Sequence, residues 1–371
     1  MTRIKIDMDM VMSRLREIQD PELKRSIVEL GMIEKAEIRK TGLYLRIKLT
    51  IPGCPLKEKI SRDVRSAFSD IPQIEDIQIE FSTMSEAERK KLTGQLTGKD
   101  PTEQFRSKKV GSVVLVASGK GGVGKSTVTA NLAAVASLGG FKVGVLDADI
   151  HGFSIPRILG LNGRPTVIDN TIIPLEKSGL RVISMGFFID ESKAVIWRGP
   201  MVHKAVSQFL GDVFWDDLDI LFVDLPPGTG DVALSLAQII PGVNAVLVTT
   251  PQPGAYMVAS RIAQLAEKSN IRMIGVIENM SYFLAPDGHK EYIFGSGGGR
   301  ELADKLGVPL LGQVPLETEV RVGGDNGEPI VFTDSGSPAA KEFKKAAEKI
   351  IEIIEPALKQ KAAAGLVGQN S

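Results

Sequence analysis

The stretch VASGKGGVGKST, Val116–Thr127, places two lysines in one glycine-rich loop. Gly119, Gly124, Lys125 and Ser126 fit the spacing G-x-x-x-x-G-K-[ST], in which glycines let the backbone fold tightly and successive N–H groups converge on phosphate oxygens. The apolar run VVLVAS precedes the loop and the helix-like run STVTANLAAVA follows it. The loop therefore joins a strand to a helix start, whose partial positive charge adds to the attraction. This predicts a nucleotide site made by Gly119, Lys120, Gly121, Gly122, Val123, Gly124, Lys125, Ser126 and Thr127. Lys125 is expected at the β- and γ-phosphates, Ser126 on Mg²⁺ and Thr127 at the α-phosphate. One lysine serves the phosphates, so Lys120 needs another explanation.

Around the loop the texture is that of an α/β protein. Short apolar runs recur (KVGVLD, RVISM, ILFVD, AVLVTT, RMIGVI, VPLLG), with helical segments such as GAYMVASRIAQLAEK between them. Runs of this kind suit strands buried on both faces, so the prediction is a mainly parallel sheet with helices on both faces, over residues 110–361. Ligands then bind beyond the carboxyl ends of the strands. Residues 1–81 read as a small α+β domain: a helical stretch interrupted at Pro21, a hairpin around Thr41-Gly42, an amphipathic helix in PLKEKISRDVRSAF and a last strand in IEDIQIEFS. Residues 82–109 are a polar linker, and residues 362–371 a frayed tail.

The 371 residues carry 45 Lys+Arg against 45 Asp+Glu, so no global charge points to nucleic acid or anionic lipid. One cysteine, Cys54, excludes an intrachain disulfide and suits a reducing compartment. MTRIKIDMDM lacks the apolar core of a secretion signal, and no apolar run reaches the ~18 residues of a membrane span. The expectation is a cytoplasmic protein that binds neither nucleic acid nor membrane.

Two further strands end in acid. Asp224 closes ILFVD ahead of the turn Pro226-Pro227-Gly228-Thr229-Gly230, where it would face the Mg²⁺ shell. Asp147 and Asp149, in VGVLDADIHG, lie two apart and would project to one side of extended chain. Asp149 is read as the carboxylate that orients the attacking water, with Asp147 nearer the metal. The plainer alternative is that all three cap turns.

Lys120 completes K-G-G-x-G-K-[ST], and here the sequence resembles the deviant Walker A group of P-loop ATPases. That resemblance implies a homodimer in which Lys120 crosses to the partner's nucleotide and stabilises the departing γ-phosphate. GKGGVGKST, DADIHG, WRGPMVHKAVSQFL, VDLPPGTGD, ENMSYF and IFGSGGG narrow the likeness to Mrp-type ATPases, the iron–sulfur cluster carriers. The front domain, around LTIPGCPL, resembles metal–sulfur cluster assembly domains. The implied activity is ATP hydrolysis with delivery of clusters to apo-proteins. By the same resemblance Asn279 contacts adenine, Pro315 in QVPLE lines the base, and Trp197 and Arg198 lie at the dimer face.

One family feature is missing. Mrp-type carriers often place C-x-x-C after N-M-S-x-F, so that two subunits supply four thiolates to one cluster. Here the segment is NMSYFLAPDGHKEYIFG, with Ala285 at the first cysteine and Asp287-Gly288 near the second. Asp287 and His289 lack the soft donors that hold clusters, and a polar turn is the better reading. Cys54, before a predicted helix whose N-terminus would lower its pKa, is left as the single candidate ligand for iron or a cluster. His151, after the DAD motif, reads as a satisfied surface histidine rather than a contact at the nucleotide edge, and His203 reads as structural. The competing functions are a nucleotide switch like the Min and Par ATPases, and a chaperone-like ATPase that has lost its bridging cluster.

Overall fold

The computed structural model describes residues 6–21, 23, 25–40, 42–49, 57–85, 88, 110–149, 152–168, 171–188, 199–228, 231–240, 242–252 and 269–367. Cys54, His151, Trp197, Arg198, most of the linker and the helical stretch predicted at 254–268 lie outside them. Contacts divide the chain into two compact units, residues 1–98 with 166–173 and residues 99–165 with 174–371.

In the first unit, α1 (Met8–Glu17) starts where Asp7 accepts the Met10 N–H through its side chain, a standard helix N-cap. Val11 and Leu15, one turn apart, are fully buried. β1 (Ile33–Arg39) and β2 (Gly42–Leu49) form the expected antiparallel hairpin. α2 (Lys57–Ala67) then crosses over so that β3 (Asp76–Thr83) pairs parallel to β2. β2 lies in the middle of this sheet and buries Leu43, Leu45 and Ile47. The short antiparallel pair β6 (Thr166–Ile168) and β7 (Thr171–Ile173) belongs to this unit.

The second unit is built on β4 (Ser112–Ser118), α3 (Lys125–Leu138), β5 (Val143–Asp147), α4 (Ile155–Ile158), β8 (Leu175–Lys177), β9 (Leu180–Ser184), α5 (Gly199–Gly211), β10 (Ile220–Asp224), α6 (Asp231–Ile239), β11 (Asn244–Thr249) and β12 (Arg272–Glu278). There follow a hairpin, β13 (Phe283–Leu284) with β14 (Lys290–Glu291), then α7 (Gly298–Leu306), β15 (Leu310–Gln313), α8 (Thr318–Asn326), α9 (Ile330–Thr333) and α10 (Pro338–Val367). The large sheet runs β15-β12-β11-β4-β10-β5-β9-β8, parallel throughout except for β8. This is the predicted α/β class, a mainly parallel sheet flanked by helices and accompanied by a small α+β unit.

Every residue of β4, β5, β10 and β11 is buried, as unbroken apolar runs require. The alanine-rich α3 is buried nearly all round, because small side chains let it lie close to both the sheet and α10. At the β15 edge, Lys349 donates to the Leu310 and Leu311 carbonyls, and Glu342 accepts the Gln313 N–H. Side chains of α10 thereby cover backbone groups that would otherwise invite another strand. α10 runs to Val367, well into the tail expected to fray at 362. Ala362-Ala363-Ala364 has the highest intrinsic helix propensity and continues the turn.

Candidate functional site

Parallel register decides where the acids fall. Asp224 of β10 pairs with Asp147 of β5 on one side and Val116 of β4 on the other, and Asp147 pairs with Ser184 of β9. Ser184, Asp147 and Asp224 thus form one row near the carboxyl edge of the sheet, and β4 runs on from that row into the glycine-rich loop. The three acids picked from sequence converge here: Asp147 and Asp224 are fully buried and Asp149 is 6% exposed.

Lys125, first residue of α3, turns its buried ammonium into this row. Its Nζ lies 2.7 Å from Asp224 Oδ1 and 3.9 Å from Asp149 Oδ2, contacts that are ionic rather than well-aligned hydrogen bonds. Asp224 also accepts the Ser126 hydroxyl at 2.5 Å and has Thr129 Oγ1 2.8 Å from its other oxygen. Asp147 accepts the Asp149 N–H at 3.1 Å and the Ser184 hydroxyl at 2.9 Å. Burial, and then the neighbouring Asp224 carboxylate, push the Asp147 carboxyl well above the usual carboxylate range, against the pull of Ser184 and the Asp149 N–H.

The donor set fits a magnesium–triphosphate. The cap residue of α3 is Gly124, and among the described residues no side chain caps the first turn, which leaves orphan N–H groups for an oxyanion. Asp224 and Asp149 both face Lys125 and Asp147 lies beside Asp224, so carboxyls outnumber that ammonium and the site favours added positive charge. Among the described residues no three His, Cys, Asp or Glu side chains are grouped to cage an ion. Mg²⁺ keeps several waters and takes much of its shell from phosphate oxygens, so the Asp224 carboxylate beside the Ser126 hydroxyl is a sufficient share from the protein.

Asn279 lies against the loop. Its Nδ2 donates to the Val123 carbonyl at 2.9 Å, and a Cβ on Gly124, where φ is +76°, would stand 2.3 Å from that nitrogen. Gly124 is required twice over, by its left-handed backbone and by the amide against it. Backbone bonds from Val314 to Glu278 and from Ser281 to Val314 draw the QVPLE segment alongside ENMS, so that buried Pro315 and Asn279 come together.

Two functional candidates were missed. Glu278 is a third strand-ending acid, closing β12 just as Asp147 and Asp224 close theirs, and that was the available signal. Fully buried, it accepts the Gly299 N–H at 2.6 Å, the Ser281 hydroxyl at 2.5 Å and the Gln313 amide at 2.8 Å. Close approaches here explain the last two glycines of IFGSGGG. A Cβ at Gly299 would lie 2.6 Å from Glu278 Cβ, and one at Gly298 would lie 2.4 Å from the Pro251 carbonyl oxygen. The second is Gln252, just beyond β11, whose Oε1 accepts Lys120 Nζ at 2.5 Å. No sequence pattern links residues 132 positions apart.

Comparison with known proteins accords with this geometry. A profile of the NUBPL iron-transfer P-loop NTPases matches residues 109–351. The chain belongs to that family. An iron–sulfur cluster assembly protein profile matches residues 8–81 of the same chain. The iron–sulfur cluster carrier protein of Mycobacterium leprae is 46% identical over 348 residues, 91% of each chain. That of Deinococcus radiodurans is 44% identical over 346 residues, 92% of this chain and 94% of its own. Among solved structures, a nucleotide-binding protein from Archaeoglobus fulgidus in complex with ADP is 36% identical, with a TM-score of 0.56 over 65% of this chain and 96% of its own. The cell-division ATPase MinD of Pyrococcus furiosus, 24% identical with a TM-score of 0.51 over 66% of this chain, shares the fold.

In this P-loop NTPase the segment NMSYFLAPDGHKEYIFG folds into the β13–β14 hairpin. Ala285 is buried and closes the turn: its N–H donates to the His289 carbonyl and its own carbonyl accepts the Gly288 N–H. His289 faces Asp287 and Glu291, its two side-chain neighbours on the same hairpin. No helix among the described residues is long and apolar enough to cross a membrane.

Proposed function

We propose that this NTPase hydrolyses ATP as a homodimer and uses the cycle to time delivery of iron or an iron–sulfur cluster to apo-proteins. The observation that carries the reading is the Lys125 ammonium, buried over Asp224 and Asp149 at an uncapped helix start. With a triphosphate in the loop, Lys125 exchanges Asp224 for the β- and γ-oxygens, and the released Ser126 hydroxyl and Asp224 face the metal. Bound Mg²⁺ supplies neutralisation of charge on the phosphate oxygens. Asp149, its N–H fixed by Asp147, accepts a hydrogen bond from the attacking water and holds it in line. Lys120 from the partner stabilises charge as the γ-phosphate leaves.

For the cargo, Cys54 is the chain's one thiol and the proposed ligand, since Ala285 occupies the position of the first cluster cysteine. Protein purified without oxygen and reconstituted with iron and sulfide is expected to retain both and pass them to an apo-protein. Retention no greater than in Cys54→Ala removes the carrier role. The buried Ala285 turn favours a second reading in that event, a nucleotide switch without a bridging cluster. ATP-dependent sedimentation with liposomes or DNA then tests for a positioning role, and capture of a client in the absence of any cluster signal for a chaperone-like one.

A further inference from the structure

We infer that Gln252 is a latch that parks Lys120 on its own subunit and so sets the threshold for ATP-driven pairing. The inference rests on the proposed dimer, in which Lys120 must reach the other protomer. In this chain its ammonium instead donates to Gln252 Oε1 in a partly buried contact at 2.5 Å.

The two ends of the contact differ in rigidity. Gln252 follows Pro251, whose carbonyl lies against the backbone of Gly298 with no room for a Cβ. The next glycine of that helix, Gly299, is tied to buried Glu278, and the Asn279 N–H donates to the Thr249 carbonyl two residues before Pro251. The backbone leading into Gln252 is therefore held by strand ends and a helix start. On the other side, the Lys120 carbonyl accepts the Ser118 hydroxyl at 3.1 Å, which fixes the backbone, while Gly121 and Gly122 beyond it are exposed. What can swing is the side chain. A lysine on a long flexible stem, held among the described residues by one neutral acceptor, can be parked and released at small cost.

A hydrogen bond from an ammonium to a neutral amide shifts the balance between parked and free lysine by roughly tenfold. Pairing needs two lysines free, one from each protomer. The parked fraction then enters twice, and removing both latches tightens the ATP-bound dimer by about a hundredfold.

The test is sedimentation velocity of the full chain with a non-hydrolysable ATP analogue and Mg²⁺, across protein concentrations, for wild type, Gln252→Ala and Gln252→Glu. Gln252→Ala is expected to lower the dimer dissociation constant by about a hundredfold. Gln252→Glu, which replaces a dipole with a full charge, is expected to raise it. Affinity for fluorescent ADP, which reads the loop without pairing, separates a latch from damage to the site. A structural lesion would weaken ADP binding and move both variants in the same direction. Wild type that pairs while both variants pair identically, or both more weakly, overturns the latch and leaves the dimer standing. Wild type that never pairs removes the dimer reading, and the latch with it.

Discussion

Gly124→Ala probes how the nucleotide loop is held. Its cost has two separable parts. The first is the backbone: φ is +76°, and an L side chain in the left-handed region costs about 1–2 kcal/mol. The second is Asn279, whose Nδ2 would lie 2.3 Å from the new Cβ and must leave, giving up its bond to the Val123 carbonyl. That loss adds about 1 kcal/mol. Gly124→Ala is therefore expected to cost about 2–3 kcal/mol, while Asn279→Ala alone costs about 1 kcal/mol. The double variant loses the Val123 bond only once, so it should fall short of the sum by about 1 kcal/mol. Urea unfolding followed by tryptophan fluorescence reads this directly, since Trp197 and the fully buried Trp215 both lie in the second unit. Additivity to within a few tenths of a kcal/mol would refute the contact.

The buried carboxyl offers a pH test. Asp147 is raised in the folded state, so its contribution is intact below the ordinary carboxylate value near 4 and is lost as pH climbs toward the raised value. Asp147→Asn, which mimics the protonated acid, should flatten the fall in stability between pH 4 and neutrality, as measured by urea midpoints at each pH. Gly299→Ala presses a Cβ onto Glu278 and should cost about 2–3 kcal/mol, with faster amide exchange in α7. Lys125→Ala should abolish ADP binding in a fluorescence titration. Lys120→Ala should leave ADP binding within a few fold of wild type while phosphate release slows about a thousandfold.

Much of this was legible in sequence because it depends on local chemistry. Val116 to Thr127 fixes strand, turn and helix within twelve residues, and unbroken apolar runs identify buried parallel strands. Asp147 and Asp224 were found because each ends such a run, and the parallel register then makes them neighbours. Glu278 obeys the same rule at the end of β12, but in ENMSYF the family resemblance marks its neighbour Asn279 instead. Contacts that depend on tertiary placement were not legible. Nothing around Lys120 names Gln252, and nothing around Gly124 names Asn279 as the group that fills its missing side chain. Intrinsic propensity favours helix through Ala362-Ala363-Ala364, yet the run reads as a tail because small residues lack the apolar stripe that marks a packed helix.

The central claim is that each nucleotide site is completed by a lysine from the other protomer. Mixing two inactive variants tests it most directly. Lys120→Ala keeps its own Asp149 but donates nothing, and Asp149→Asn keeps Lys120 but orients no water. A mixed pair holds one complete site, so equal amounts should recover about a quarter of wild-type ATP turnover, half the pairs being mixed and each having one of two sites intact. A mixture no more active than the sum of its separate components would show that Lys120 serves its own subunit, and the account would be wrong.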